Sequence, residues 1–216
     1  WIFSPPLLRE IIEIQLKVSD TVLPYSLHFV AIEKEAVLVD EKKITVSCFA
    51  VNHRIPCWGF MFREKEKPLK LDAEKLRQYA IPSSFYQQLK AGEDYITKDG
   101  MVIKNEWLTL PVAPGESYAY CADTVYDERI SVKCKDVDLL YHEATYLDDQ
   151  SEKAAGRMHS TSKQAAAIAL KANAGKLLIG HFSSRYETLD EFITEAQSVF
   201  SNTDLAIEGV TYIIHK

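Results

Sequence analysis

The chain has 216 residues, 47% apolar and 26% charged, with a net charge of −6 and a pI near 5.6. That length holds one large or two small domains with a real core. The acidic balance excludes a global attraction to nucleic acid, so any such contact must come from a local basic patch; and no apolar run reaches the ~18 residues of a membrane span.

The opening Trp1-Ile2-Phe3-Ser4-Pro5-Pro6 reads as the end of a strand turning into a helix, so the numbering is expected to begin inside a fold. Leu8, Ile11, Ile12 and Leu16 predict a short amphipathic helix over 7–16. Strands are expected at 27–32, 36–39, 44–51 and 58–63, close enough in succession for an antiparallel meander. The stretch Glu64–Pro111 differs in character. It carries Lys65, Lys67, Lys70, Lys75, Arg77, Lys90, Lys98 and Lys104, a helix is expected over 71–79, and turns are expected at 81–84 and 98–100. It reads as an insertion or arm rather than as core.

The core resumes with a strand at 118–122, the apolar run Ile130–Cys134 and a strand at 137–141. His159-Ser160-Thr161 offers a helix N-cap ahead of the Ala-rich stretch 163–172. A strand at 177–181, a helix at 189–200 with Phe192, Ala196 and Phe200 on one face, and strands at 204–208 and 210–215 complete the chain. Alternating strands and helices in the second half predict an α/β layered sheet.

The four cysteines, Cys48, Cys57, Cys121 and Cys134, form no CxxC pair, and three sit in strand-like apolar runs. They read as buried free thiols, which suits a reducing cytoplasm.

Three strand-like runs end in ionisable residues: Tyr118–Thr124 in Asp123-Thr124, Val137–Thr145 in His142-Glu143, and Leu177–Tyr186 in His181, Ser183, Ser184 and Arg185. Such runs suggest one shared polar edge. His53 follows a fourth apolar strand. His and Asp at strand ends are good zinc ligands, yet each alone is equally a loop histidine or a turn cap. Glu143 with His159 suggests either an acid–base pair or a satisfied polar cluster. His28 and His215, inside apolar strands, read as structural.

Five motifs in order carry a family resemblance: Asn52–Phe60, Cys121–Thr124, His142-Glu143-Ala144-Thr145, His159-Ser160-Thr161 with Gln164-Ala165-Ala166, and Gly180–Tyr186. Together they resemble ribonuclease Z, the tRNA 3′-end-processing endonuclease family, over essentially the whole chain. The resemblance implies a metallo-β-lactamase-like αββα sandwich, N-terminally incomplete, with an inserted flexible arm. It implies two zinc ions per complete site, with His53 a ligand of one, His181 of the other and Asp123 bridging both. It implies that His159 and Glu143 protonate the leaving group and that Arg185, Ser183 and Ser184 lie near the phosphate. The arm over 64–111, with Lys65, Lys67, Lys70, Lys75, Arg77 and Lys90, would hold precursor tRNA by a locally basic surface, and a homodimer is implied.

Two departures stand out. Ser83-Ser84 replaces the Gly-Pro pair near the family's arm tip. The family's His-x-His-x-Asp-His motif does not occur, leaving three of seven metal-ligand positions. The chain is therefore expected to be the C-terminal two-thirds of an intact enzyme, inactive alone, or else a degenerate copy. The rivals are another hydrolase of the same fold, arylsulfatase-like or a phosphodiesterase, and a noncatalytic RNA-binding or dimerisation module.

Overall fold

The computed structural model describes residues 1–214, which divide into two compact units: residues 1–63 together with the chain from Glu116 onward, and Glu64–Gly115. The first unit opens with β1 (Ile2–Ser4), α1 (Leu7–Val18), β2 (Phe29–Ala31), β3 (Ala36–Asp40), β4 (Ile44–Val51) and β5 (Cys57–Glu64). Strands β1 and β2 pair in parallel as a separate two-stranded sheet. Helix α1 has the amphipathic spacing expected, but none of its residues is buried, and Leu7, Ile11 and Ile14 stay exposed. Strand β4 matches its sequence boundaries because an uninterrupted run rich in β-branched and aromatic residues suits a pleated, half-buried surface.

The unit Glu64–Gly115 contains β6 (Lys70–Leu71), α2 (Ala73–Gln78), α3 (Tyr86–Lys90), β7 (Tyr95–Ile96), β8 (Val102–Ile103), α4 (Asn105–Leu108) and β9 (Thr109–Leu110). It has its own small core of Leu76, Ile81, Leu89, Ile103 and Leu108. Asp72 caps α2 by accepting the backbone N–H groups of Glu74 and Lys75. Buried Asn105 donates from Nδ2 to the carbonyls of Leu89 (2.8 Å) and Glu93 (2.9 Å), tying α3 to α4. Ser83–Phe85 forms a single 3-10 turn.

The first unit continues with β10 (Ser117–Cys121), α5 (Arg129–Lys133), β11 (Leu139–Glu143), α6 (Ser151–Gly156), α7 (Ser162–Ala172), β12 (Lys176–Gly180), α8 (Asp190–Gln197) and β13 (Thr203–Leu205). Its seven-stranded sheet has the order β13-β12-β11-β10-β5-β4-β3. Strands β10 to β13 run parallel, β5 is antiparallel to β10, and β3 and β4 form an antiparallel pair. The architecture is α/β with one large central sheet.

Side chains alternate across the sheet, and each face has a different fate. Ala119, Cys121, Leu140, Leu177 and Ile179 join a core with Ile130 of α5, Ala165, Ile168 and Ala169 of α7, and Phe192 of α8. Alanines on α7 let that helix lie close to the sheet. Thr161 and Gln164 start α7 with a reciprocal capping box, and Asn173, left-handed at φ 52°, ends it. The other face carries an aromatic row: Tyr120 stacks on Tyr141 at 4.8 Å, and Phe62 on Tyr118 at 5.8 Å.

The apolar run Ile130–Cys134 lies at helix α5, where Ile130 packs on the core. One sequence expectation changes. Residues 210–214 form no strand, and β13 spans only Thr203–Leu205, since a β-rich run without a neighbour to pair with gains no ladder. His215 lies outside the described residues. His28 is exposed and stacks on Trp1 at 4.6 Å, away from the chemistry below.

Candidate active site

Because β10, β11 and β12 are parallel, their C-terminal ends open on one edge. Asp123 follows β10, Glu143 ends β11 and His181 follows β12. The loop after β4 joins them: the Asn52 backbone N–H donates to Thr124 Oγ1 (3.0 Å) and the Val125 N–H to the Asn52 carbonyl (2.9 Å), which brings His53 to the same edge. His159 enters ahead of α7. Its N–H donates to the Ala154 carbonyl (2.9 Å), and neighbouring Ser160 Oγ donates to the Thr124 carbonyl (2.7 Å). The imidazole of His159 lies 5.1 Å from that of His53 and 5.3 Å from that of His181, centroid to centroid.

Glu143 is buried, and both carboxylate oxygens are saturated with donors. Oε1 accepts from the Thr124 N–H (3.0 Å) and His159 Nδ1 (2.8 Å). Oε2 accepts from the Thr145 N–H (3.0 Å) and Thr145 Oγ1 (2.8 Å). Burial alone pushes the Glu143 carboxyl up, but the bonds from His159, Thr124 and Thr145 together outweigh it and hold the group below its ordinary value. The hydrogen bond to Glu143 correspondingly raises His159, against a smaller opposing effect of burial. Since Nδ1 of His159 is committed to Glu143, its Nε2 is the end left for chemistry.

The donor set fits a divalent cation. His53, Asp123 and His159 offer ligand atoms that all lie within 4.8 Å of one another, and His181 Nε2 reaches Asp123 Oδ1 at 3.5 Å. His53 donates from Nδ1 to the Met158 carbonyl (2.9 Å), which leaves its Nε2 bare, as a metal requires. Glu143, His159 and His181 also cluster within 4.8 Å, but the acceptor sites of Glu143 are already occupied, so it reads as an orienting group rather than a ligand. Nitrogen and carboxylate donors suit zinc and its first-row neighbours.

Backbone strain gathers here. His181 is left-handed at φ 63° and Met158 at φ 61°, a conformation that bulky L residues rarely adopt. Arg185 is exposed, with its guanidinium 5.4 Å from the centre of the Tyr146 ring. The Ser183 N–H donates to the Thr145 carbonyl (3.1 Å), which folds the loop back over the site, and Ser184 is exposed. His142, by contrast, points away: it is fully buried, donates from Nδ1 to the Glu143 carbonyl (2.7 Å), and is pushed down by burial.

In the unit Glu64–Gly115, Lys65, Lys67, Lys70, Lys75 and Arg77 are exposed and Lys90 is half-buried. Lys67 pairs with Glu64 at 3.1 Å, and Lys75 bonds Gln78 Oε1 at 3.2 Å. Eight basic residues in this unit are matched by eight acidic ones, so it is charge-balanced rather than net basic. Sequence reasoning missed Thr124, Thr145 and Met158 as supports of the site. Thr124 and Thr145 carried a signal, as the last residues of the Cys121–Thr124 and His142–Thr145 motifs, and Met158 carried none.

No family model matches the chain. It is 43% identical over 99% of its length to a ribonuclease Z of Cytophaga hutchinsonii, of which it spans 69%. It is 39% identical over 99% of its length to a ribonuclease Z of Bacteroides thetaiotaomicron, spanning 68%. In structure it resembles the short form of human tRNase Z, with a TM-score of 0.63 at 23% identity, over 100% of this chain and 68% of that one. It also resembles YhfI of Bacillus subtilis, a metallo-β-lactamase fold protein, with a TM-score of 0.58 at 19% identity, over 95% and 61% of the two chains.

Proposed function

The chain belongs to the ribonuclease Z family, and from that premise we propose that His159 and Glu143 are the acid pair with which it frees the 3′ end of tRNA from its trailer. The reaction is hydrolysis of a precursor-tRNA phosphodiester, leaving a 3′-hydroxyl. The observation that carries the assignment is the geometry of Glu143: a buried, fully bonded carboxylate 2.8 Å from Nδ1 of an imidazole whose Nε2 is free.

Glu143 keeps its charge and holds the proton on Nδ1 of His159. It thereby favours the doubly protonated imidazolium, and the second proton sits on Nε2. As the P–O3′ bond breaks, Nε2 gives that proton to O3′, and His159 becomes neutral with Nδ1–H still on Glu143. Arg185, with Ser183 and Ser184, neutralises and orients the phosphate. Of the donors gathered near Asp123, His53, Asp123 and His181 would hold the metal and His159 would be kept for the proton; the metal would supply an activated water and charge neutralisation at the phosphate when bound.

Zinc is the metal we assign, supported by the nitrogen and carboxylate donor set. A homodimer and a cytoplasmic setting accompany the assignment, the latter supported by four free cysteines. No helix among the described residues is long and apolar enough to cross a membrane. The unit Glu64–Gly115, with Lys65, Lys67, Lys70, Lys75, Arg77 and Lys90, serves as the tRNA-holding arm.

The test is cleavage of precursor tRNA by the full-length protein and its His159→Ala variant. General-acid loss lowers kcat by about 10²–10⁴-fold with KM little changed. Equal rates in the two proteins would remove His159 from the reaction.

A further inference from the structure

We infer that Thr145 is a positioning residue: its hydroxyl, oriented by Glu143, locks the His181 imidazole in the tautomer that leaves Nε2 bare and turned toward Asp123. The inference follows from counting protons. Thr145 Oγ1 has three polar neighbours: Glu143 Oε2 at 2.8 Å, His181 Nδ1 at 2.9 Å and His159 Nδ1 at 3.3 Å. A hydroxyl has one proton to give and two lone pairs to receive with.

The carboxylate of Glu143 settles where that proton goes. Each of its oxygens already accepts a backbone N–H, from Thr124 on one side and Thr145 on the other, and Oε1 also accepts His159 Nδ1–H. A carboxylate only accepts, so the Thr145 proton points at Oε2. The oxygen of Thr145 must then receive from His181, and the proton of His181 lies on Nδ1. The longer contact to His159 is the second, weaker share of a proton whose main acceptor is Glu143.

The consequence appears at the far side of the ring. With Nδ1 protonated, Nε2 of neutral His181 carries a lone pair, and that atom is the one 3.5 Å from Asp123 Oδ1. The hold is needed, because the His181 side chain is 45% exposed and its backbone is left-handed at φ 63°. Among the described residues, Thr145 Oγ1 is its only hydrogen-bond partner. In water, imidazole favours the other tautomer, with the proton on Nε2, which would block that face. One threonine thus links Glu143 and His159 to the histidine at the end of the neighbouring strand.

The role in metal binding rests on the ribonuclease reading of the site; the tautomer does not. The test uses full-length protein labelled with ¹⁵N-histidine and stripped of metal, with long-range ¹H–¹⁵N correlation spectra recorded at about pH 8.5, two units above the ordinary histidine value. The wild-type His181 is expected to show a pyrrole-like Nδ1 and a pyridine-like Nε2. Thr145→Val keeps the shape and removes the hydroxyl; it shifts His181 toward Nε2–H and weakens zinc binding by about 10–100-fold. Thr145→Ser restores both. A wild-type His181 protonated on Nε2 overturns the inference, as does a folded Thr145→Val protein with unchanged tautomer and zinc affinity. If Thr145→Val does not fold, the wild-type spectrum still decides the tautomer and Thr145→Ala replaces it for the affinity. No RNA enters these measurements. Absence of cleavage alongside an Nδ1–H spectrum therefore counts against the ribonuclease reading alone.

Discussion

Tyr141 crosses so close to Gly180 that a Cβ at position 180 would lie 2.6 Å from the tyrosine hydroxyl oxygen and 2.8 Å from Cε2. The two are diagonal neighbours on one face, because Tyr141 pairs with Leu178 in the ladder of β11 and β12. The ring has little room to yield, since it is stacked on Tyr120 at 4.8 Å with planes 10° apart. Gly180→Ala should cost about 1–3 kcal/mol by overpacking and displace His181 beside it. Urea denaturation measures the loss. Combining it with Tyr141→Ala should recover part of the cost, and strict additivity of the two changes would show that the close approach is not its source.

The capping box at the start of α7 supports the site as well as the helix. Thr161 Oγ1 accepts the Gln164 N–H at 3.2 Å, and Gln164 Oε1 accepts the Thr161 N–H at 3.0 Å. Thr161→Ala should lower stability by about 1 kcal/mol. Thermal denaturation reads it, and a Tm equal to wild type would mean that packing of the alanine face alone holds the helix.

Cys134 gives the protein an alkaline limit. Burial pushes its thiol from 9.0 up to about 12, with nearby Arg63 pulling slightly the other way. The unfolded chain loses this proton near pH 9 while the folded chain keeps it, so the stabilisation is complete below pH 9 and is lost as pH rises toward 12. Unfolding free energy should fall by up to about 1.4 kcal/mol per pH unit from this one group. Cys134→Ala should flatten the profile between pH 9 and 10; identical slopes in the two proteins would assign the alkaline loss elsewhere.

The unit Glu64–Gly115 has its own core, so its removal can be tested without cutting through the packed sheet. Replacing residues 64–115 by a short linker in the full-length protein should abolish precursor-tRNA binding and leave hydrolysis of a small phosphodiester. Undiminished tRNA binding would favour the small-substrate hydrolase and take the arm out of recognition.

Much of this was legible in the sequence, and for local reasons. Strand β4 and the strands leading to Asp123, Glu143 and His181 are apolar runs that stop abruptly at polar residues, so their ends and their chemistry announce themselves together. Helix α7 is marked by Thr161, Gln164 and its alanines. Ile130–Cys134 was not legible, because five residues are too few to separate a helical period from a strand. The role of Thr145 was hidden for a different reason: a hydroxyl's partners depend on where two distant histidines arrive. The charge balance of the unit Glu64–Gly115 needed only a count of its acids beside its lysines.

Glu143 and His159 meet solvent unequally. The Glu143 side chain is 1% exposed and that of His159 16%, so solvent meets the pair only from the imidazole side. Under the proposed acid role, a proton spent at Nε2 would come back by the route it left, through space that the cleaved RNA end would first have to vacate. Recharging the acid would then be chained to product departure, and an enzyme of this design still holding its tRNA could not rearm.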